Sequence, residues 1–307
     1  MQDVGVIYLY RSEEDKNLVR NFIVSYRANP AGLDHDLHVI FKGFYDQDAL
    51  AAARALFEDL PVNPIVLEDV GFDIGSYIEA AKTVSNRRLI FFKTSNRILA
   101  PNWLRNFDRA LSLPDVGVVG ATGSWEAYAS DIEGAILTAL RRLARRLGYF
   151  PNGVTEKISR QNCEWQRPAR PLRLYLLFPF YYVYYLYQSG RYPNPHIRTS
   201  AFIIERERFL SLRVRSFASK NDALQFESER GSMTRQIMAQ GLRPLVMDRL
   251  GNVYDVADWK TSRTFRNGEQ INLVVADNRT CEYHSARGEF RQILENQAWE
   301  HPWRWKL

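Results

Sequence analysis

The sequence is short of the residues that carry thiol and metal chemistry. It has two cysteines, Cys163 and Cys281, and five histidines in 307 residues. The cysteines stand far apart without metal-ligand spacing. That excludes a disulfide framework and a zinc module, and fits two ordinary thiols in a reducing compartment. The opening Met1-Gln2-Asp3-Val4-Gly5 has no basic segment ahead of an apolar one and passes straight into a strand-like run. No signal peptide is expected, and the cytoplasm is the expected location. The uncharged run from Leu174 to Tyr187 is shorter than the roughly 20 residues a membrane-spanning helix needs, and Pro179 interrupts it. There is no internal repeat and no low-complexity tract, which excludes solenoid and linker-like architectures.

What is present is the composition of a folded protein, 46% hydrophobic and 25% charged, with enough chain for one large domain or one domain with an appendage. A net charge of +6 and a pI of about 9.3 suit phosphate-bearing ligands, an anionic membrane surface or nucleic acid. A generally solvated basic surface accounts for the charge equally well.

Hydrophobic periodicity gives the plan. Val4 to Tyr10 reads as a strand, Glu13 to Arg27 as a helix, Leu37 to Phe41 as a strand, and Asp46 to Leu60 as a helix with Asp46 at its N-cap. Ile65-Val66-Leu67 is short enough for a buried parallel strand. Gly71 and Gly75 bracket a sharp turn into a helix beginning near Ser76. Leu89 to Phe92 is a further strand, ending in Lys93-Thr94-Ser95-Asn96-Arg97, and Pro101 opens the next helix. Val116 to Gly120, Ala201 to Ile204 and Arg243 to Asp248 are strands. Asp222 to Gln240 is helical, broken near Gly231 and stopped by Gly241. The chain ends in a helix over about 287–299. Strands alternating with helices predict an α/β fold with a mostly parallel sheet flanked by helices, and ligands bound beyond the carboxyl ends of its strands.

The pattern breaks near Asp131. Residues 131–148 form an amphipathic helix with Leu140 and Leu143 on its apolar face and Arg141, Arg142, Arg145 and Arg146 beside it. The Tyr-rich run follows. Tyrosine favours the membrane–water interface, so 131–192 reads as an insertion lying on an anionic membrane. Packing against the sheet, or an oligomer interface, is the alternative.

Gly71-Phe72-Asp73-Ile74-Gly75 and Pro101-Asn102-Trp103-Leu104 carry a family resemblance. They resemble the nucleotide-sugar half of the GT-A glycosyltransferases, especially the large inverting, family 2-like group that builds bacterial polysaccharides. There, a turn like N-x-G-F-x-x-G opens a helix, and the next strand ends in Asp-x-Asp ahead of a P-x-W-L helix start. This chain departs at one place: Thr94-Ser95-Asn96 replaces Asp-x-Asp, so no carboxylate stands there for a divalent ion. The resemblance covers about residues 1–250. It implies a Rossmann-like GT-A sheet, with 1–130 as the nucleotide-sugar half, 131–192 as the insertion, 193–250 as the acceptor-side half and 251–307 as a C-terminal extension. It also implies a hexosyltransferase-type enzyme that moves a sugar from a nucleotide-sugar donor to a lipid-linked glycan or glycolipid, with inversion. No cofactor is expected beyond the donor itself, and metal use is expected to be absent or atypical.

The family's general base is a carboxylate in a motif like F-x-E-D. Here Phe226, Arg235 and Gly241 align and place Glu229 over the second acid; Glu227 is two positions earlier. Glu227 is favoured because it directly follows Phe226. Two solvated acids stabilised by the helix dipole are the alternative. Asp73 can accept from a nucleotide's base edge or ribose, or can cap a helix; Glu68 and Asp69 are alternatives for that contact. Gly75 belongs to the same turn. Lys93, Arg97, His196 and Arg198, with the hydroxyl and amide groups of Thr94, Ser95 and Asn96, are candidates for stabilising a departing diphosphate without a metal. Arg11 follows the first strand and can face the nucleotide. In the extension, Asp255, Asp258, Trp259, Lys260, Arg266, Asp277 and Asn278 either close over a sugar or form a solvated surface.

Two other functions compete. One is a non-catalytic scaffold that kept the fold and lost the metal site. The other is nucleic-acid binding through the basic helix, which is disfavoured because the arginines are not interleaved with stacking aromatics. The membrane reading has a direct check. Changing Leu140, Leu143 and Tyr182 to polar residues is expected to release the protein from anionic vesicles in a flotation assay. Unchanged flotation would assign those residues to packing.

Overall fold

The computed structural model describes residues 2–127, 191–214 and 220–301, together with 133, 183, 184, 186 and 187. The amphipathic helix and most of the Tyr-rich run expected at 131–192 lie outside the described residues.

Among the described residues, eight strands form the central sheet: β1 (Val4–Arg11), β2 (Asp36–Lys42), β3 (Val62–Leu67), β4 (Arg88–Phe92), β6 (Val116–Gly120), β9 (Ala201–Glu205), β10 (Arg243–Met247) and β11 (Val253–Tyr254). Their spatial order is β11-β10-β6-β9-β4-β1-β2-β3. β1, β2, β3 and β4 run parallel, and β6 and β10 are parallel to each other. β9 runs against both β4 and β6, with Ala201 opposite Phe92 and Phe202 opposite Gly120. The fold is therefore α/β with a mostly parallel, helix-flanked sheet, as the sequence predicts. The reversal of β9 places its starting residue, and the loop feeding it, at the carboxyl ends of the parallel strands.

Each face buries its own apolar layer. On one side, Val19 and Phe22 of α1 (Lys16–Ala28), Leu50 of α2 (Gln47–Ala55) and Trp103, Leu104 and Phe107 of α4 (Trp103–Leu111) pack on alternate strand residues such as Val6, Tyr8 and Val39. On the other, Ile74 and Tyr77 of α3 (Phe72–Thr83), Phe209 of α5 (Arg206–Ser211), Phe226 of α6 (Lys220–Ser228) and Ile237 of α7 (Met233–Ala239) pack on Ile7, Leu9 and Phe91. This two-sided burial follows from the period-two alternation of strands that are apolar on both faces.

The structure corrects three local expectations. Ile65-Val66-Leu67 is not a buried strand: β3 is the sheet's edge, Ile65 alone of the three is buried and Val66 is 47% exposed. Pro64 fits an edge, where a missing N–H costs no ladder bond. Gly75 does not bracket the turn. Gly71 and Phe72 turn the chain, at φ 77° and 51°, the helix starts at Phe72, and the Gly75 N–H already donates to the Gly71 carbonyl. Asp73 accordingly sits inside the first helical turn rather than at the N-cap. Helix α2 stops at Ala55, short of Leu60, although Asp46 caps it as expected by accepting from the Asp48 and Ala49 N–H groups.

The C-terminal extension is built into the sheet. Its strand β12 (Val275–Ala276) pairs with β5 (Arg97–Ile98). Trp259 is fully buried and lies against β7 (Gly123–Ser124), which pairs with β8 (His196–Ile197). A Cβ at Gly123 would stand 2.6 Å from the Trp259 ring. Gly123→Ala is therefore expected to destabilise the fold by about 1–3 kcal/mol through overpacking, measured by urea unfolding. An unchanged midpoint would show that the indole is free to shift.

Candidate functional site

The polar residues at the carboxyl edge fall into three adjoining groups. The first lies at the ends of β1, β2 and β3. Arg11 donates to both carboxylate oxygens of Asp69, at 3.2 and 3.0 Å. Lys42, whose side chain is fully buried, donates to the Phe72 carbonyl at 2.6 Å and stands 3.6 Å from Asp69. Burial lowers the Lys42 pKa, and the Asp69 charge opposes that shift. Burial raises the Asp69 pKa, but the Arg11 bond and charge outweigh it and hold the carboxyl below its ordinary value. The network fixes the Gly71–Asp73 turn against the strand ends. Asp69 thus spends its charge within the protein, whereas Glu68 is exposed and Asp73 and Gly75 are half-buried. Tyr45, 76% exposed, accepts from the Asp69 N–H and leaves its ring open beside this group.

The second group lies beyond β4. Thr94 is buried; its hydroxyl donates to the Leu9 carbonyl and its own carbonyl accepts from the Tyr8 hydroxyl. Asn96 is buried too. Its Oδ1 accepts from the Lys93 N–H at 2.7 Å and its Nδ2 donates to Ser200 and to the Ala276 carbonyl. These side chains close the turn and lock it to β9 and to the extension. Ser95 is half-buried, and Arg97 is exposed on β5. The side chain of Lys93 keeps 24% exposure, and its Nζ is 4.0 Å from Asp277.

Asp277 is the centre of this group. It caps α8 (Asn278–Ser285) by accepting from the Thr280 N–H, in a reciprocal capping box. Its other oxygen lies 2.8 Å from Arg198. Burial works to raise the Asp277 pKa. The Arg198 and Lys93 charges, the Thr280 N–H and the Ser200 hydroxyl prevail and hold it well below the usual carboxylate range. The resembled family implies a divalent ion here, and these residues do not fit one. Thr94 and Asn96 spend their polar atoms on the protein, and the one carboxylate present already faces two cations.

The third group comes from the loop before β9 and from α6. Glu227 accepts from the Thr199 hydroxyl at 2.9 Å and from its N–H at 3.4 Å, one residue from Arg198. His196 is buried, with Nδ1 2.9 Å from the Asn194 carbonyl. Burial pushes its pKa down, and the nearby Glu227 and Glu126 charges work against that shift. Asn194 joins the segments: it donates to the Ser228 and Glu126 carbonyls and accepts from Arg235. Glu229 is 2% exposed and turns the chain into α7, accepting from the Ser232 N–H on its carbonyl.

The structure thus brings Arg11, Asp73, Lys93, Arg198, His196 and Glu227 to one edge, and the segments 71–76, 93–97 and 121–124 all follow parallel strands there. The sequence reading did not single out Lys42 or Glu126. Lys42 had a signal, a lysine ending an apolar strand. Glu126 had none, since it reaches His196 through the pairing of β7 with β8.

A cavity of about 830 Å³ lies elsewhere, among α5, α6 and α7, lined by Arg213, Phe226, Arg230 and Gln236 among others. It contains none of the strand-end residues.

No protein-family model matches the sequence, and no curated protein matches it. Among solved structures, a mannosyltransferase from Pyrobaculum calidifontis in complex with GDP-Man and Mn²⁺ is 15% identical, with a TM-score of 0.33 over 38% of this chain and 34% of that one. S. aureus TarS 1-349 with UDP-GlcNAc is 15% identical, with a TM-score of 0.31 over 39% of this chain and 34% of that one. The chain spans about a third of the length of the structures it matches. The functional reading rests on the chain's own residues.

Asp277→Asn is expected to cost on the order of 3–5 kcal/mol by leaving Arg198 without its buried partner. The folded carboxyl ionises at lower pH than the unfolded one, whose value is about 3.9. Its stabilisation is therefore complete above about pH 5 and is lost as pH falls toward the folded pKa. The gap between wild type and variant in urea unfolding should be constant from pH 5 to 8 and narrow below about pH 4. A gap independent of pH would remove the ion pair as its source.

Proposed function

We propose that the protein is a glycosyltransferase that moves a sugar from a nucleotide-sugar donor to a glycan or glycolipid acceptor, with inversion and without a divalent ion. The observation that carries the reading is the placement of Glu227. Thr199 holds this carboxylate at the edge that also presents Lys93 and Arg198. An inverting transfer needs these two functions side by side. A carboxylate takes the proton of the acceptor hydroxyl as its oxygen bonds to the anomeric carbon. Cations stabilise the diphosphate as the anomeric C–O bond breaks and its electron pair leaves with the diphosphate. The family resemblance of 71–75 and 101–104 supports the donor class. The nucleoside is assigned to the β1–β3 end, where Tyr45 offers an open ring and Asp73 a carboxylate.

Glu227 is assigned as the base ahead of Glu229, which is almost wholly buried and ends a helix. Attachment to the cytoplasmic face of an anionic membrane through 131–192 completes the proposal. Among the described residues no helix is long and apolar enough to cross a membrane. A second reading, a non-catalytic scaffold, is favoured by one observation: Thr94 and Asn96 are fully committed to structure.

Glu227→Gln separates the two. Transfer should fall about 10²–10⁴-fold, the usual loss for a general base, while calorimetric donor affinity stays close to wild type. Wild-type transfer should persist in EDTA. Absence of transfer by the wild type across a panel of UDP-, GDP- and dTDP-sugars, with donor binding retained, would favour the scaffold.

A further inference from the structure

Two buried arginines meet on one aromatic ring at this edge. The Arg198 guanidinium carbon is 4.4 Å from the Phe265 ring centroid and that of Arg266 is 5.1 Å from it. Arg198 comes from the loop before β9, and Arg266 from the C-terminal extension. Each is more than nine-tenths buried.

Their partners differ. Arg198 has Asp277 at 2.8 Å and the Thr122 hydroxyl at 3.3 Å. Arg266 has one long contact, Glu282 at 3.4 Å, and its buried Nε has no hydrogen-bond partner among the described residues. A buried unpaired donor on a charged group is costly, so it is a rare thing for a protein to keep. Arg266 is also held in a backbone conformation that L-residues rarely adopt, φ 40°, with its N–H donated to the Gln270 side chain, and Gln270 itself sits at φ 53°. Such local strain persists where the surroundings impose it, and it clusters at ligand sites. Burial pulls the Arg266 pKa down; the Glu126 and Glu282 charges oppose that shift, and Arg198 and Arg279 add to it. Two like charges are thus packed together in a place that lacks a full complement of acceptors.

We propose that Arg266 and Arg198, stacked on Phe265, form an anion clamp that receives the diphosphate of the donor, so that the C-terminal extension completes the donor site. The assignment rests on the glycosyltransferase reading above, and it adds a residue from outside the segment carrying the family resemblance. An anion supplies the acceptor that Arg266 Nε lacks and offsets the repulsion between the two guanidiniums. Two forked donors match the oxygens of linked phosphates better than a point charge does. Lys93, on the exposed side of Asp277, is the third cation available to the same ligand.

The test uses calorimetry with UDP, GDP and dTDP, and with inorganic pyrophosphate, on the full chain. Wild type should bind at least one of the nucleotides, and Arg266→Gln should weaken it by tenfold or more. Arg266→Lys should keep part of the affinity, and the remote surface variant Arg27→Gln should match wild type. Equal nucleotide affinity in wild type and Arg266→Gln overturns the clamp and leaves the glycosyltransferase reading standing. Pyrophosphate binding that depends on Arg266, without binding of any nucleotide, keeps the clamp and removes the nucleotide-sugar reading. No binding of any of these ligands by wild type overturns both. Should the variants fail to fold, hydrogen exchange on wild type decides. Added ligand should slow exchange across 263–270, and unchanged exchange there overturns the clamp.

Discussion

A carboxylate removed from water stays ionised only if cations and donors replace its hydration, and Asp277 is such a group. It draws on residues that are remote in sequence: Arg198 before β9, Lys93 after β4, Ser200, and the Thr280 N–H of its own helix. Through it the extension is tied to the strand ends, and through Asn96, which bonds both Ser200 and the Ala276 carbonyl, the turn after β4 is tied to the same place. Replacing a buried ion pair with apolar residues is often neutral or stabilising. The arrangement is therefore better explained by what it positions than by what it contributes to stability. It fixes a guanidinium beside the turn that follows β4.

A second network does the same for the other end of the edge. Arg11, Lys42 and Asp69 terminate three adjacent strands and hold the Gly71 turn by a bond to the Phe72 carbonyl. The two networks flank the space above β1 and β4. Glu227 approaches from the helical layer, held by Thr199 rather than by a cation. The edge thus offers positive charge from the strands and negative charge from a helix.

Much of the scaffold was legible in the sequence because buried strands announce themselves locally. The runs ending at Tyr10, Phe41, Phe92 and Gly120 all became strands with their polar termini at one edge. The glycine stop at 241 appears as expected, at φ 77°. Misreadings came where tertiary context decides. Val66 looks apolar enough for a core strand, yet among the described residues no strand flanks β3 on its outer side. Thr94 and Asn96 occupy the position of a metal motif in sequence, but hydrogen bonds to Leu9, Lys93 and Ser200 make them structural closures of the turn. The polar residues of the extension gave no hint of which would be buried: Asp277 and Arg266 are, in an extension that the pairing of β12 with β5 ties to the strand ends. Contacts made over such sequence distances leave no periodic signature to read.

On the proposed reading, the sheet's carboxyl edge is one donor site, cationic from strand ends and extension and carboxylate-bearing from α6. A structure of the protein with a bound nucleoside diphosphate tests it most directly. The diphosphate is expected beside Lys93 and Arg198, the nucleoside toward Tyr45 and Asp73, and the Glu227 carboxylate across the gap from the phosphates. A nucleotide seated in the cavity between Arg213 and Arg230, or phosphates held by a metal ion at 94–96, would contradict it.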